Sequence, residues 1–101
     1  MKLLKAQKNH LYDAIVGTGV DPDKFNFEES SYDVSVRHAN SDYKFTLEEN
    51  AYEKEYILKF RPSKNRYYDI IATKEWEAVV TAFKAWLSFI KREQATPDKW
   101  G

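Results

Sequence analysis

Residues 73–93, TKEWEAVVTAFKAWLSFIKRE, constrain the fold more than any other stretch of this chain. At 100° per residue, Trp76, Val79, Val80, Phe83, Trp86, Leu87 and Ile90 share a stripe about 120° wide. A helix with such a stripe needs an apolar surface to lie on. Thr73 is a suitable N-cap, Glu75 and Glu77 sit near the helix start, and Lys91 and Arg92 fall in its last turn, as the helix dipole prefers. Pro97 blocks continuation. Beside the core stripe, Ala78, Ala82, Ala85 and Phe89 repeat at 4-3-4 spacing as a second, shallower seam. Small residues there let another helix approach closely, either from this chain or from a partner.

The surface to be covered is legible upstream. Residues 4–16 predict a first helix with Leu4, Leu11, Ala14 and Ile15 on one face, interrupted by Lys8 and stopped by Gly17-Thr18-Gly19 and Pro22. Tyr32, Val34 and Val36 then alternate; Phe25 and Phe27 are out of phase with them, which predicts a bulge or a separate short strand. After turn residues Asn40-Ser41-Asp42, Tyr43, Phe45 and Leu47 alternate with Lys44, Thr46 and Glu48 as a half-buried strand. A turn at Asn50-Ala51 leads to Tyr52, Tyr56, Leu58 and Phe60, the third strand. Residues 62–65 read as loop, and 67–72 as a fourth strand at the sheet edge.

The expected architecture is α+β: a two-layer sandwich in which an antiparallel meander of three to four strands carries the N- and C-terminal helices on one face. The other face, with Asp33, Ser35, Arg37, Lys44, Thr46, Glu48, Glu53, Glu55 and Lys59, is expected to be solvated. At 101 residues this is one domain spanning 1–101, alone or as a module of a longer protein. Aromatics make up 16% of the chain, enough that most must be buried or bind something.

Net charge is zero but unevenly spread. Residues 21–55 carry ten acids against four bases, so the remainder holds a matching positive excess. A bipolar molecule orients a charged partner or stacks with itself. No apolar run approaches the roughly 18 residues that span a bilayer, and Lys2, Lys5 and Lys8 break the amino-terminal stretch too early for a signal peptide. Without cysteine there is no disulfide framework and no thiolate metal site. A cytoplasmic setting fits these features.

Known chemical motifs fail on spacing or context. Gly17-x-Gly19 lacks a third glycine and follows a helix, whereas a dinucleotide fingerprint follows a strand. Asp21-x-Asp23 begins like a calcium loop, but Phe25 takes the next ligand position. The pairs Glu28-Glu29 and Glu48-Glu49 point to opposite faces of a strand. His38 with Ser41 and Asp42 assembles nucleophile-type groups in one turn, without a readable base-orienting group or oxyanion site. His10 is expected to be exposed or half-packed. Lys59, Arg61, Lys64 and Arg66, with Tyr67 and Tyr68 alongside, form the one candidate site for an anionic ligand or nucleic acid. The patch is short and the chain neutral, which disfavours nucleic acid.

Trp76-x6-Phe83-x2-Trp86-Leu87, followed by Lys91-Arg92-Glu93 and Pro97-Asp98-Lys99-Trp100, resembles the closing helix of small bacterial α+β modules. Such modules stand alone or at an end of longer, often defence-associated, proteins. The resemblance implies a non-enzymatic recognition or adaptor role and transfers no catalytic residue. The sequence therefore predicts a protein-interaction module, with no cofactor, no metal and no enzymatic activity. Its partner is another protein or a second copy, held by the C-terminal helix through Ala82, Ala85, Phe89 and Trp100. Ala78 and Ala82 are expected to be hidden, with Phe89 and Trp100 together at the rim.

Overall fold

A computed structural model describes residues 2–39, 41–50, 52–63 and 65–95 of the chain. Helix α1 (Lys5–Thr18) begins where the Gln7 side chain accepts the Leu4 amide at 2.9 Å. It ends at Gly19, whose φ of 79° lies in the left-handed region that glycine adopts without strain. Leu11, Ala14 and Ile15 face inward as the spacing predicts. Leu4 does not: it is 68% exposed, and Leu3 occupies the core position. Leu4 sits at the N-cap with an extended backbone, so its side chain leaves the helical stripe. A single 3₁₀ turn at Pro22–Lys24 then carries the chain to the sheet.

Five strands follow where alternation predicts three or four: β1 (Phe25–Glu29), β2 (Asp33–His38), β3 (Lys44–Asn50), β4 (Glu55–Ser63) and β5 (Arg66–Thr73). They form one antiparallel sheet in chain order. The additional strand is the out-of-phase segment at Phe25. A hairpin closed by Ser30 resolves the phase break, since its Oγ accepts from the Tyr32 and Asp33 amides. Phe25 then pairs with His38, and Phe27 with Val36. Tyr32 belongs to that turn and is 82% exposed. Tyr52 also leaves its expected strand; the Asn50 side chain accepts from the Tyr52 and Glu53 amides and makes this a turn, with Ala51 outside the described residues. The expected loop at 62–65 is shorter, because β4 continues through Pro62 to Ser63 across a register irregularity.

Helix α2 (Trp76–Ala95) closes the domain. Thr73 remains in β5 and accepts the Glu75 amide at 3.0 Å, so it shapes the turn before the helix without capping it. The cross-strand rows Val34–Leu47–Leu58 and Val36–Phe45–Phe60 define the apolar face. One core joins that face to Leu11 and Ile15 of α1 and to Val79, Phe83, Trp86, Leu87 and Ile90 of α2. Phe45 meets Phe83 and Trp86 at ring distances of 5.1 and 5.8 Å, and Trp86 reaches Phe25 at 5.9 Å. Trp86 is fully buried, and its indole N–H has no acceptor among the described residues.

The opposite face corrects one expectation. Ser35 and Thr46 are buried there, although that face reads as solvated. They lie in one row with Glu28 on β1 and Lys59 on β4. The two short side chains sit at the middle of the row, flanked by two longer ones, which leaves them little surface of their own. Lys59 and Glu48 pair across this face at 3.2 Å.

Candidate functional site

The predicted partner-binding residues depend on where α1 lies relative to α2. Trp76 donates its indole N–H to His10 Nδ1 at 3.0 Å, which places α1 beside the Trp76, Val80 and Lys84 flank of α2. The flank carrying Ala78, Ala82, Ala85 and Phe89 is therefore turned away from α1, over β4 and β5. Ala78 and Ala82 are half-buried, less covered than the hidden positions expected of them, and Ala85 is exposed. Phe89 is half-buried, its ring edge-on to Tyr43 at 5.6 Å and to Phe60 at 6.2 Å. It forms the wall of the core on this side, so it is not a free projection. Trp100 lies outside the described residues.

What the sequence reading missed is the contribution of β5. Phe60 passes the contact outward to Tyr68 at 6.1 Å, so Tyr43, Phe89, Phe60 and Tyr68 make a continuous aromatic row that reaches the edge of the sheet. Tyr68 pairs with Phe60, and Ile71 with Leu58. Regular alternation would put residues 68 and 71 on opposite faces; the irregularity between Asp69 and Ile71 brings both to the helix side. They are 48% and 41% exposed. Among the described residues, no strand or loop backbone bonds to the outer edge of β5. The readable signal was a short, nearly uncharged strand at the end of a meander.

The candidate anion site is dispersed. Lys59 and Arg61 belong to β4, Arg66 to β5, and Lys64 lies outside the described residues. Lys59 is held by Glu48. Arg61 donates to the Asp42 carbonyl at 2.8 Å and to the Tyr67 hydroxyl at 3.2 Å, with its guanidinium 5.6 Å from the Tyr67 ring centre. These contacts tie the β3 start to the β4–β5 hairpin. They leave Arg66 as the exposed base of the cluster among the described residues.

At the His38 turn, Nδ1 lies 3.0 Å from Ser41 Oγ, which also donates to the His38 carbonyl and accepts the Tyr43 amide. Ser41 thus closes the turn, and Asn40 lies outside the described residues. The imidazole is buried edge-on to Phe25 at 5.2 Å. Burial, with Lys24 nearby, pushes its pKa below the ordinary histidine value. Such a residue favours the neutral ring.

A second concavity lies on the other flank of α2. About 590 Å³ of open groove separates the helices, with Ala14, Trp76 and Val80 along it and Asp13, Glu77 and Lys84 around it. Gly17 borders it in an otherwise helical position, and a Cβ there would meet nothing. Among the described residues, no group of three His, Asp or Glu side chains gathers at metal-binding distance, and no helix is long and apolar enough to cross a membrane. No protein family, curated protein or solved structure matches the chain.

Proposed function

We propose that this chain is a protein-recognition module whose partner docks along the β5 side of the molecule. The observation that carries the reading is the aromatic row from Tyr43 through Phe89 and Phe60 to Tyr68, which opens onto a strand edge without a backbone partner among the described residues. A segment laid against that edge gains main-chain hydrogen bonds from β5 and covers Tyr68 and Ile71. Ala85 is exposed on α2, where a small side chain leaves a partner room to approach. Aromatic anchors are enriched in recognition patches.

In this reading the role is non-catalytic: His38 and Ser41 hold a turn, and Arg61 braces a hairpin. It accords with the bacterial recognition modules that the closing helix resembles. A cytoplasmic setting accords with the cysteine-free sequence. The test is immobilised wild-type protein beside Ile71→Lys and Ala85→Glu, each confirmed folded by circular dichroism, exposed to bacterial lysate with cross-linking. A chain, the same or another, that is retained by wild type and lost from both variants is the expected result. Equal retention by the variants, or no retained chain, overturns the reading.

A further inference from the structure

We infer that the groove between α1 and α2 is a second docking surface, and that its occupant is an amphipathic helix of a partner protein, acidic near its start and basic near its end. This face lies on the other flank of α2 from the β5 edge and stands apart from the recognition reading above. The groove extends beyond its widest part. Gly17 and Thr18 border both the 590 Å³ concavity and a second one of about 490 Å³, which Ser88, Lys91 and Arg92 complete. The two hollows therefore meet at the end of α1. His10 bonds to Trp76 at one end and Gly19 approaches Lys91 at the other, so the two helices run in the same direction. From Trp76 to Lys91 the axis of α2 rises about 22 Å.

Charge and shape select the occupant. Ala14, Val80 and Trp76 make the lining apolar. Asp13 and Glu77 stand towards the His10 end, and Lys84 and Lys91 towards the Gly19 end. Among the described residues none of these four belongs to an ion pair. The groove is thus negative at one end and positive at the other. Helices favour acids in the first turn and bases in the last, and such a helix matches this polarity when it lies antiparallel to α1 and α2. Its dipole then opposes theirs, which favours the same direction. Shape agrees, because the groove is open along its length, whereas a small ligand is mostly enclosed by its pocket. At its waist stands Gly17, inside α1, where alanine would serve the helix better. A Cβ there would meet nothing within 4 Å, so no described neighbour needs the space. A partner helix, packing with its axis about 8–10 Å away, uses it.

The probe is a synthetic helical peptide of about 15 residues, with leucines on one face, acids in its first turns and bases in its last. Its control is an isomer with the charges exchanged end for end. Fluorescence anisotropy of the labelled peptides should show wild type binding the first about tenfold more tightly than the second. Glu77→Lys combined with Lys84→Glu should reverse that preference. Gly17→Leu, confirmed folded by circular dichroism, should bind neither peptide, while Ile71→Lys should bind as wild type does. Equal binding of the two peptides, no binding at millimolar concentration, or a preference that the double variant retains overturns the inference. So does undiminished binding by Gly17→Leu. Loss of binding in Ile71→Lys would move the peptide to the β5 edge, which overturns the groove and leaves the recognition reading standing. Self-association of wild type that Gly17→Leu removes would make a second copy the occupant. Equal binding of a proline-broken peptide would make it an extended segment. Either result overturns the helix.

Discussion

The two edges of this sheet are protected in different ways. Beside β1 lies α1: Lys8 ion-pairs with Glu29, and Leu11 and Ile15 seal the core. Lys8, with help from the Leu3 amide, holds the Glu29 carboxyl below its usual range. At β5 no helix lies beyond α2 among the described residues, and the exposed large apolar side chains are Tyr67, Tyr68 and Ile71. Helix α2 touches β4 and β5 alike, yet Tyr68 and Ile71 on the apolar side of β5 stay exposed. The difference shows that a meander can have one committed edge and one available edge.

Removing what both edges share should have the largest effect. Phe83→Ala or Trp86→Ala should each cost about 3–5 kcal/mol and lower the melting temperature steeply, since both rings sit fully buried between the helices and the sheet. Near-native melting of either variant would contradict the common core. Ile15→Ala should cost about 2–5 kcal/mol and act on one edge. Amide exchange is expected to accelerate first in β1 and β2 while β5 keeps its native rates; uniform acceleration would erase the distinction between the edges.

A smaller effect, again confined to the β1 side, should follow acidification. His38 has a lowered pKa in the folded protein, so the unfolded chain binds a proton first as pH falls. Stability is complete above about 6.5, the ordinary histidine value. It declines as pH falls from there through the folded pKa. His38→Gln should flatten this part of the profile in pH-dependent melting, and an unchanged slope would assign it to other groups. Ile71→Lys should change stability least, within about 0.5 kcal/mol, while removing association. A large loss of stability in that variant would mean that the β5 edge is core.

The helix-on-sheet core was legible because its signal is periodic. All seven residues of the α2 stripe are buried or half-buried, and Phe45 and Leu47 alternate into the same core. What was not legible depends on neighbours that sequence does not put side by side. Phe89 reads as a projecting anchor until Tyr43 and Phe60 are seen against its ring. Thr46 reads as a surface residue until Ser35 and Lys59 are seen on either side of it. The candidate site was hidden by one irregularity: Tyr68 and Ile71 share a face only because the β5 ladder slips between them. The basic residues appeared as a cluster because they are close in sequence, whereas the hairpin sets Lys59 against Glu48 and Arg61 against Tyr67.

The strand order has a consequence for how the chain is made. Each strand meets the next across one short connection, so the pairings are local and quick to form. The helices meet across most of the chain, as the His10–Trp76 bond, spanning 66 residues, shows. A chain synthesised from its amino end completes all five strands before α2 exists. Until the 20 residues of that helix emerge, about 1–4 s at ~5–20 residues per second, Phe45, Leu47 and Leu58 face water on a one-sided sheet. Arrival of the last helix is thus the moment at which the nascent domain either closes or is captured by another exposed surface.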